Sequence, residues 1–393
     1  MDFDPFAPDV RCNPYPYFAQ LRNYSPVYWM ESLQSWAITR YEDVAYVAKN
    51  TQIFSSAPII PAILGELNPV PEVNWLISTD PPAHQPLRKL VNKAFTPRMV
   101  AALEPRIREI AAQLLDRVEP GGDFDFVRDF ATPLPMMVIA EMLGVDAQRH
   151  RDFKHWSDDM LRLTGGAVPP GELPLLRQSV DDMRSHFEQV IDERRGQPKD
   201  DLITALVRAE DENHALTGRE VLAMCVLLLI AGNETTTNLL GNTAFTLLSH
   251  PAALARVRAN PALVPQMIEE ILRYESPVQA IFRLTTCDAR IAGRAIPAAS
   301  RVLIFYGSAN RDERQFANPD TFDLERNPQD HLAFGFGIHY CLGAPLARLE
   351  AKVAVDAFLR RLPQAHLREP RAQWVDSFVV RGPKTLPLAI GPA

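Results

Sequence analysis

Cys341 lies in HLAFGFGIHYCLGAPLARLE, residues 331–350, between a glycine-rich loop and the first turn of a helix. Gly335 and Gly337 precede it and Gly343 follows, so the backbone can take positive φ and approach a ligand closely. Ala344, Pro345, Leu346 and Ala347 open the helix, with Pro345 near its first position, where a missing N–H costs nothing. Unpaired N–H groups and the positive end of the dipole favour an anion there. The spacing therefore predicts a thiolate, with a pKa below the free value of about 8.5.

Three other pairs carry chemistry. His84 and Arg88 are four residues apart and share a helix face; alone, such a pair is a solvated surface feature. Glu234 and Thr235, in AGNETT, put a carboxylic acid beside an alcohol within an apolar run. Gly232 costs that helix up to about 1 kcal/mol against alanine, and consecutive threonines add β-branched strain. Local rules broken in this way tend to mark function; the plainer account is Thr235 bonding back to the Ala231 carbonyl, with a slight bend. Glu270 and Arg273 can pair along a helix; alone, they read as a surface ion pair.

A cysteine in this position can be a nucleophile, a metal ligand or a small buried hydrophobe. A nucleophile wants a histidine base and an orienting partner, and His339 is too near in sequence to face Cys341 unless the loop folds back. Zinc asks for about four ligands. The chain has neither a CxxC pair nor CxxCH, which excludes covalent c-type haem. One axial thiolate on a haem iron fits best. Phe334 and Phe336 would pack around the sulfur, and the loop N–H groups would tune it.

The elements that must position these residues read as mostly helical. Val27–Thr39 predicts a hairpin around Glu31–Gln34, followed by a helix over residues 41–50. Residues 53–79 are rich in proline and aliphatics, contain no Lys or Arg, and read as an irregular covering loop. Pro81 and Pro82 are expected to start the helix carrying His84 and Arg88. Helical periodicity runs over 96–118, 131–143 and 175–195. Gly165, Gly166, Pro169, Pro170 and Gly171 connect the last two, and Pro174 sits just before the third. Thr217 to Glu220 form a capping box. The helix it starts need not end before Pro251, which puts AGNETT near its middle. Pro265 opens another helix, with Glu270 and Arg273 on it, and residues 309–326 read as irregular.

Net charge is −7 over 393 residues, which argues against nucleic acid and anionic membrane as partners. The first residues, MDFDPFAPDVRCNPYPYF, have neither a signal-peptide nor an anchor pattern. The apolar run from Val221 to Ala231 is shorter than the roughly 20 residues a span needs. Four scattered cysteines give no disulfide framework. The chain reads as cytoplasmic and monomeric. Length alone suggests two or three domains.

FGFGIHYCLG resembles the haem-binding loop of the cytochrome P-450 family, F-G-x-G-x-H-x-C-x-G. Phe334, Gly335, Gly337, His339, Cys341 and Gly343 fill every defined position. DPPAHQPLR, AGNET and EEILR resemble further motifs of that family, in the right order, so the likeness covers nearly the whole chain. It implies one domain over 1–393, mainly α with small β-sheets: a triangular prism holding haem b between the long central helix and the Cys-loop helix. It implies a soluble bacterial-type monooxygenase of secondary metabolism. In it Cys341 ligates the iron, and His84, Arg88 and Arg283 reach the haem propionates. Phe334, His339 and Gly343 contact the haem, Glu234 and Thr235 relay protons, and Glu270, Arg273 and Arg326 form a structural lock.

The chain has no flavin or iron–sulfur motif, so two electrons must come from outside. The resemblance implies ferredoxin or flavodoxin with an NAD(P)H-dependent reductase, for which Lys89, Lys93 and Arg348 offer a local positive patch. Aligned to the motifs, the substrate pocket comprises Leu227, Ile230, Ala231, Gln279, Ile281, Phe378, Val379 and Val380, covered by Ile59, Ile60, Ile63 and Leu64. These residues predict a small, mostly apolar organic substrate, hydroxylated or epoxidised with O2. Arg162 is the one base expected to reach in, holding a long-chain acid as the exception. The alternatives are a peroxide-driven peroxygenase, which has no need of the Glu234–Thr235 pair, and a non-catalytic haem sensor or carrier.

Overall fold

The structure is a computed structural model and describes residues 3–71, 73–119, 121–164, 169–211 and 214–391. Gly165 and Gly166 of the expected glycine/proline connection lie outside these residues. Helices dominate, with small sheets. Contacts divide the chain into two compact units: Met1–Phe54 with Leu103–Leu134 and Thr235–Ala393, and Ser55–Ala102 with Pro135–Glu234.

The first unit is organised on a five-stranded sheet. Its strands are β1 (Val27–Met30), β2 (Ser35–Ile38), β3 (Phe54–Ser55), β4 (Ala280–Thr285) and β5 (Arg301–Phe305), in the order β1-β2-β5-β4-β3. The β1–β2 hairpin pairs Val27 with Ile38, and its turn uses Gln34 at φ +47°. Alternation along β5 sends Val302 and Ile304 into the cluster of Val44, Val47 and Leu332, and Leu303 and Phe305 into that of Phe3, Phe18 and Leu21. The helices Tyr41–Lys49 and Tyr15–Tyr24 contribute to these two clusters respectively. Helix Ala344–Arg361 packs on Glu104–Leu115 and Val264–Tyr274.

In the second unit, helix Leu173–Gly196 packs against His150–Thr164 and Leu202–Val207, and the latter against His84–Ala94. The covering segment is less irregular than expected: Ile59–Leu64 is a short helix with Ile59, Ile60 and Leu64 buried, and it packs against His150–Thr164. Trp75, also buried, donates from Nε1 to the Val70 carbonyl at 3.3 Å. The His84 helix begins after Pro81 and Pro82, which occupy the turn before it. Residues 96–118 break into Pro97–Ala102 and Glu104–Leu115.

One long helix, Gly218–Ser249, runs from the second unit into the first. Its capping box is closed: Glu220 N donates to Thr217 Oγ1 at 3.2 Å, and Glu220 Oε2 accepts from Thr217 N at 2.8 Å. By length and composition this helix is apolar enough to cross a membrane, which the run from Val221 to Ala231 alone did not suggest. It buries Asn233, Asn238, Asn242 and several threonines, a polar load that suits a core helix and not a lipid-facing one.

Candidate functional site

The cysteine loop is drawn together by its own backbone. Cys341 N donates to the Phe334 carbonyl at 2.9 Å, and Gly335 N to that of Leu332 at 2.9 Å. Gly335 and Gly337 take φ +75° and +74°, and a Cβ at Gly337 would lie 3.2 Å from the Ala48 carbonyl oxygen, so only glycine fits. Gly343 caps the following helix, with Pro345 in its first turn. A Cβ at Gly343 would stand 3.9 Å from the Cys341 sulfur, an ordinary contact. Cys341 is half-buried.

Behind the loop, Glu269 takes Arg348 through Nε at 2.6 Å and Nη2 at 2.9 Å, with His331 Nε2 at 2.9 Å. Burial alone would raise Glu269, but these bonds hold its carboxyl down at about 2. Arg348 also lies 4.5 Å over the Phe334 ring. Its charge is therefore spent inside the loop, and the expected patch loses Arg348; Lys89 and Lys93 are exposed. Sequence reading missed Glu269 and His331, because nothing in their spacing announces the pair.

Arg273 and Arg326 both reach Glu270, Arg273 in bidentate fashion and Arg326 Nε at 3.1 Å. Arg273 also donates to the Asn310 and Pro319 carbonyls at 2.9 and 2.8 Å. All three predicted residues thus meet, Glu270 and Arg273 fully buried and Arg326 partly so. Arg283, on β4, is buried; its positive charge partly offsets the desolvation that raises the phenol of Tyr306. The Tyr306 hydroxyl in turn lies 3.5 Å from where a Gly335 Cβ would be.

In the second unit, Asp80 accepts from Ser56 N at 3.0 Å and from the Ser55 hydroxyl, fixing the start of the His84 helix. His84 is buried on the apolar face and Arg88 half-buried beside it. Desolvation, helped by the Arg88 charge, pushes the imidazole below its usual range.

The long helix has one under-covered face. Leu227, Ile230, Glu234 and Thr235 are half-buried and Ala231 is exposed, whereas Val226, Leu228, Leu229, Asn233 and Thr236 are buried. The open positions recur every three or four residues, so they form a single stripe. Desolvation pushes the Glu234 carboxyl up to about 7.

The remaining pocket residues do not all share surroundings. Ile281 packs toward the Val44 cluster. Phe378 turns instead to the N-terminal aromatics, edge-on to Phe6 at 5.2 Å. Gln279 donates from Nε2 to the Ser276 carbonyl at 2.8 Å and fills the space beside Gly307, with Oε1 buried and without a hydrogen-bond partner among the described residues. Val379 offers its carbonyl to Gln279 N at 2.7 Å, and Val380 bridges to Val278. Arg162, half exposed, pairs with Glu172 and with Asp159 at 3.7 Å, so it is not a spare cation.

The donor set suits the haem that the resemblance implies. Cys341 is half-buried at a helix N-terminus, Arg283 and His84 are buried, and Arg88 is half-buried on the helix of His84. Among the described residues there is no group of three or more His, Cys, Asp or Glu side chains that could hold a bare metal ion.

The cytochrome P450 family model matches residues 11–384. PikC, a cytochrome P450 monooxygenase of Streptomyces venezuelae, is 38% identical over 99% of this chain and 94% of its own. The structure of CYP109Q5 from Chondromyces apiculatus is 45% identical at a TM-score of 0.92, covering 100% of this chain and 99% of that one. CYP109E1 from Bacillus megaterium, solved with corticosterone, is 39% identical at a TM-score of 0.87, covering 97% and 99%.

Proposed function

Because the chain belongs to the cytochrome P450 family and is, with it, a haem b enzyme and a monooxygenase, we propose that it inserts one oxygen atom from O2 into a neutral, mostly apolar organic molecule of moderate size. Hydroxylation and epoxidation are the two outcomes. Residues 1–393 act as one catalytic domain.

Cys341 is the axial ligand, and His84, Arg88 and Arg283 donate charge-assisted hydrogen bonds to the haem carboxylates, which need such partners when buried. Phe334, His339 and Gly343 pack against the group. The haem, once bound, supplies oxygen activation, with the thiolate favouring O–O cleavage. Glu234 holds a proton near neutral pH, and Thr235 passes it on through its hydroxyl and ordered water. Glu270, Arg273 and Arg326 fix the fold and take no part in the chemistry.

The observation that carries this reading is the open stripe on the long helix. It puts an apolar wall, Leu227, Ile230 and Ala231, directly against the acid–alcohol pair. Ile59, Ile60, Ile63 and Leu64 form the apolar cover, with Ile281 and Val380 as further wall residues. A buried unpaired carboxylate costs several kcal/mol, whereas each buried CH₂ gains about 0.8 kcal/mol. With Arg162 engaged by Glu172, a long-chain acid has lost its expected counter-ion. That CYP109E1 was solved with corticosterone, and also with testosterone, fits the same chemistry.

Electrons come from a ferredoxin or flavodoxin with its NAD(P)H-dependent reductase, in the cytoplasm, with the enzyme a monomer. The test is the haem spin-state shift on titration. Neutral steroids and terpenoids are expected to give it; tight binding confined to small aromatic carboxylates refutes the pocket as described.

A further inference from the structure

Next to Glu234, the side chain of Asn233 is bonded across to another helix. Its Nδ2 donates to Ser157 Oγ at 2.7 Å, with Asn233 3% and Ser157 0% exposed. Ser157 belongs to helix His150–Thr164, and the same helix packs against the apolar cover Ile59–Leu64. One position earlier, Gly232 admits a second helix closely: a Cβ there would lie 3.0 Å from Ile139 Cδ1. Asn233 Oδ1 is buried with no hydrogen-bond partner among the described residues.

An amide is an expensive way to fill a buried helix contact, since an apolar side chain would pack there without any polar group to satisfy. What the amide adds is direction: a hydrogen bond depends on angle, as dispersion contacts do not. Ser157 and Asn233 therefore make one defined link in a chain of contacts. The chain runs from the apolar cover to helix His150–Thr164, then through the bond to the turn bearing Glu234.

We propose that Ser157 is a positioning residue: through Asn233 it couples filling of the apolar pocket to the placement of the Glu234 carboxyl, so that proton supply is set when substrate is in place. This rests on Glu234 being the acid. Ser157 itself touches neither substrate nor haem; it acts through Asn233. A displacement of its helix by the width of a hydrogen bond is enough, because misplacement of a reacting group by about 1 Å can cost on the order of 100-fold in rate.

The haem-loaded enzyme can be followed by hydrogen exchange, with phenylimidazole as an apolar probe that ligates haem iron. In the wild type, the probe is expected to slow exchange in residues 150–164 and 232–237 together. In the double variant Asn233→Leu/Ser157→Ala, which removes both polar partners and keeps an apolar contact, slowing at 150–164 should persist and that at 232–237 should fall by about threefold or more. Joint slowing that survives in the double variant overturns the proposal.

A merely structural bond makes a different prediction. Ser157→Ala alone would then be the worse variant, because it leaves Asn233 buried and unbonded, and the double variant would recover the wild-type share of NAD(P)H ending as peroxide. The proposal expects the double variant to match the wild type in denaturation midpoint and still release more peroxide. Recovery of the wild-type peroxide share overturns it. Glu234→Gln separates the two levels: an unchanged peroxide share in that variant removes Glu234 as the acid, whereas the exchange result still decides whether the tether exists.

Discussion

Glu270 and Arg273 meet one helical turn apart as a bidentate ion pair, with both N···O distances 2.8 Å and neither side chain exposed. A fully buried charge is tolerable only when paired and bonded on every side, and here the Asn310, Pro319 and Thr321 carbonyls take the remaining guanidinium protons. Removing one partner leaves the other charge stranded. Glu270→Ala and Arg273→Ala are each expected to destabilise the fold by about 3–5 kcal/mol and to lower haem content in proportion. Arg273→Lys should rescue little, since an ammonium cannot reproduce the planar fork. Urea midpoints and haem-to-protein ratios measure both. A Lys variant as stable as the wild type would mean the pair is ordinary packing.

Cys341→Ser is expected to retain some haem and to lose the thiolate signature of the reduced, CO-bound spectrum together with monooxygenation. The competing thiols are poor candidates on chemical grounds. Burial pushes the Cys225 thiol far up, away from the thiolate, and Cys12 and Cys287 are exposed. A normal thiolate spectrum in Cys341→Ser would move the ligand role to one of these three.

The motifs were readable because each is a local pattern. The cysteine loop, the long helix with its capping box, and Glu270 with Arg273 lie within short stretches of chain, so spacing alone proposes them. Arg326 was found through resemblance, since no local rule links it to Glu270. Helix His150–Thr164 was missed although Phe153, Trp156, Ser157 and Met160 carry its period, because the many charges around them hid the apolar face. Arg162 and Arg348 were misjudged for a different reason. Their partners Glu172 and Glu269 are fixed by tertiary approach, and a free cation looks the same in sequence as a paired one. Gln279 and Phe378 show the limit of carrying pocket positions across by motif: side-chain direction depends on local neighbours, here Gly307 and Phe6.

Glu350 is buried in the cysteine-loop helix, with Oε1 lacking a hydrogen-bond partner among the described residues, and desolvation pushes its carboxyl up to about 8. The folded chain therefore keeps a proton that the unfolded chain, with the ordinary value of 4.5, has released. The stability this carboxyl contributes is complete below pH 4.5 and is lost as pH rises through about 8. Glu350→Gln carries no proton to lose, so its stability should decline less across that window, with the gap to the wild type widening by several kcal/mol. Denaturant midpoints at both ends of the window test this. Parallel curves for the two proteins would show that the folded chain releases this proton at the same pH as the unfolded one.

Glu234 has the same sign of shift and a different consequence. Desolvation raises it to about 7, so below that pH it holds a proton to give and above it the carboxylate has already released it. If Glu234 feeds Thr235, product formed per NAD(P)H should fall as pH rises through about 7, with peroxide rising in its place. Glu234→Gln should flatten that dependence and lower the product-forming rate by about 10²-fold, the usual weight of a general acid. Thr235→Ala acts one step later. It should keep cofactor consumption and divert it to peroxide at every pH, while the pH midpoint set by Glu234 still shows in whatever product remains. Measuring product, peroxide and NAD(P)H together over pH 5.5–8.5, a window about 1.5 units either side of that value, separates the two variants. An unchanged pH midpoint in Glu234→Gln would assign the titration to another group, and an unchanged product yield in Thr235→Ala would mean that a different donor reaches the oxygen.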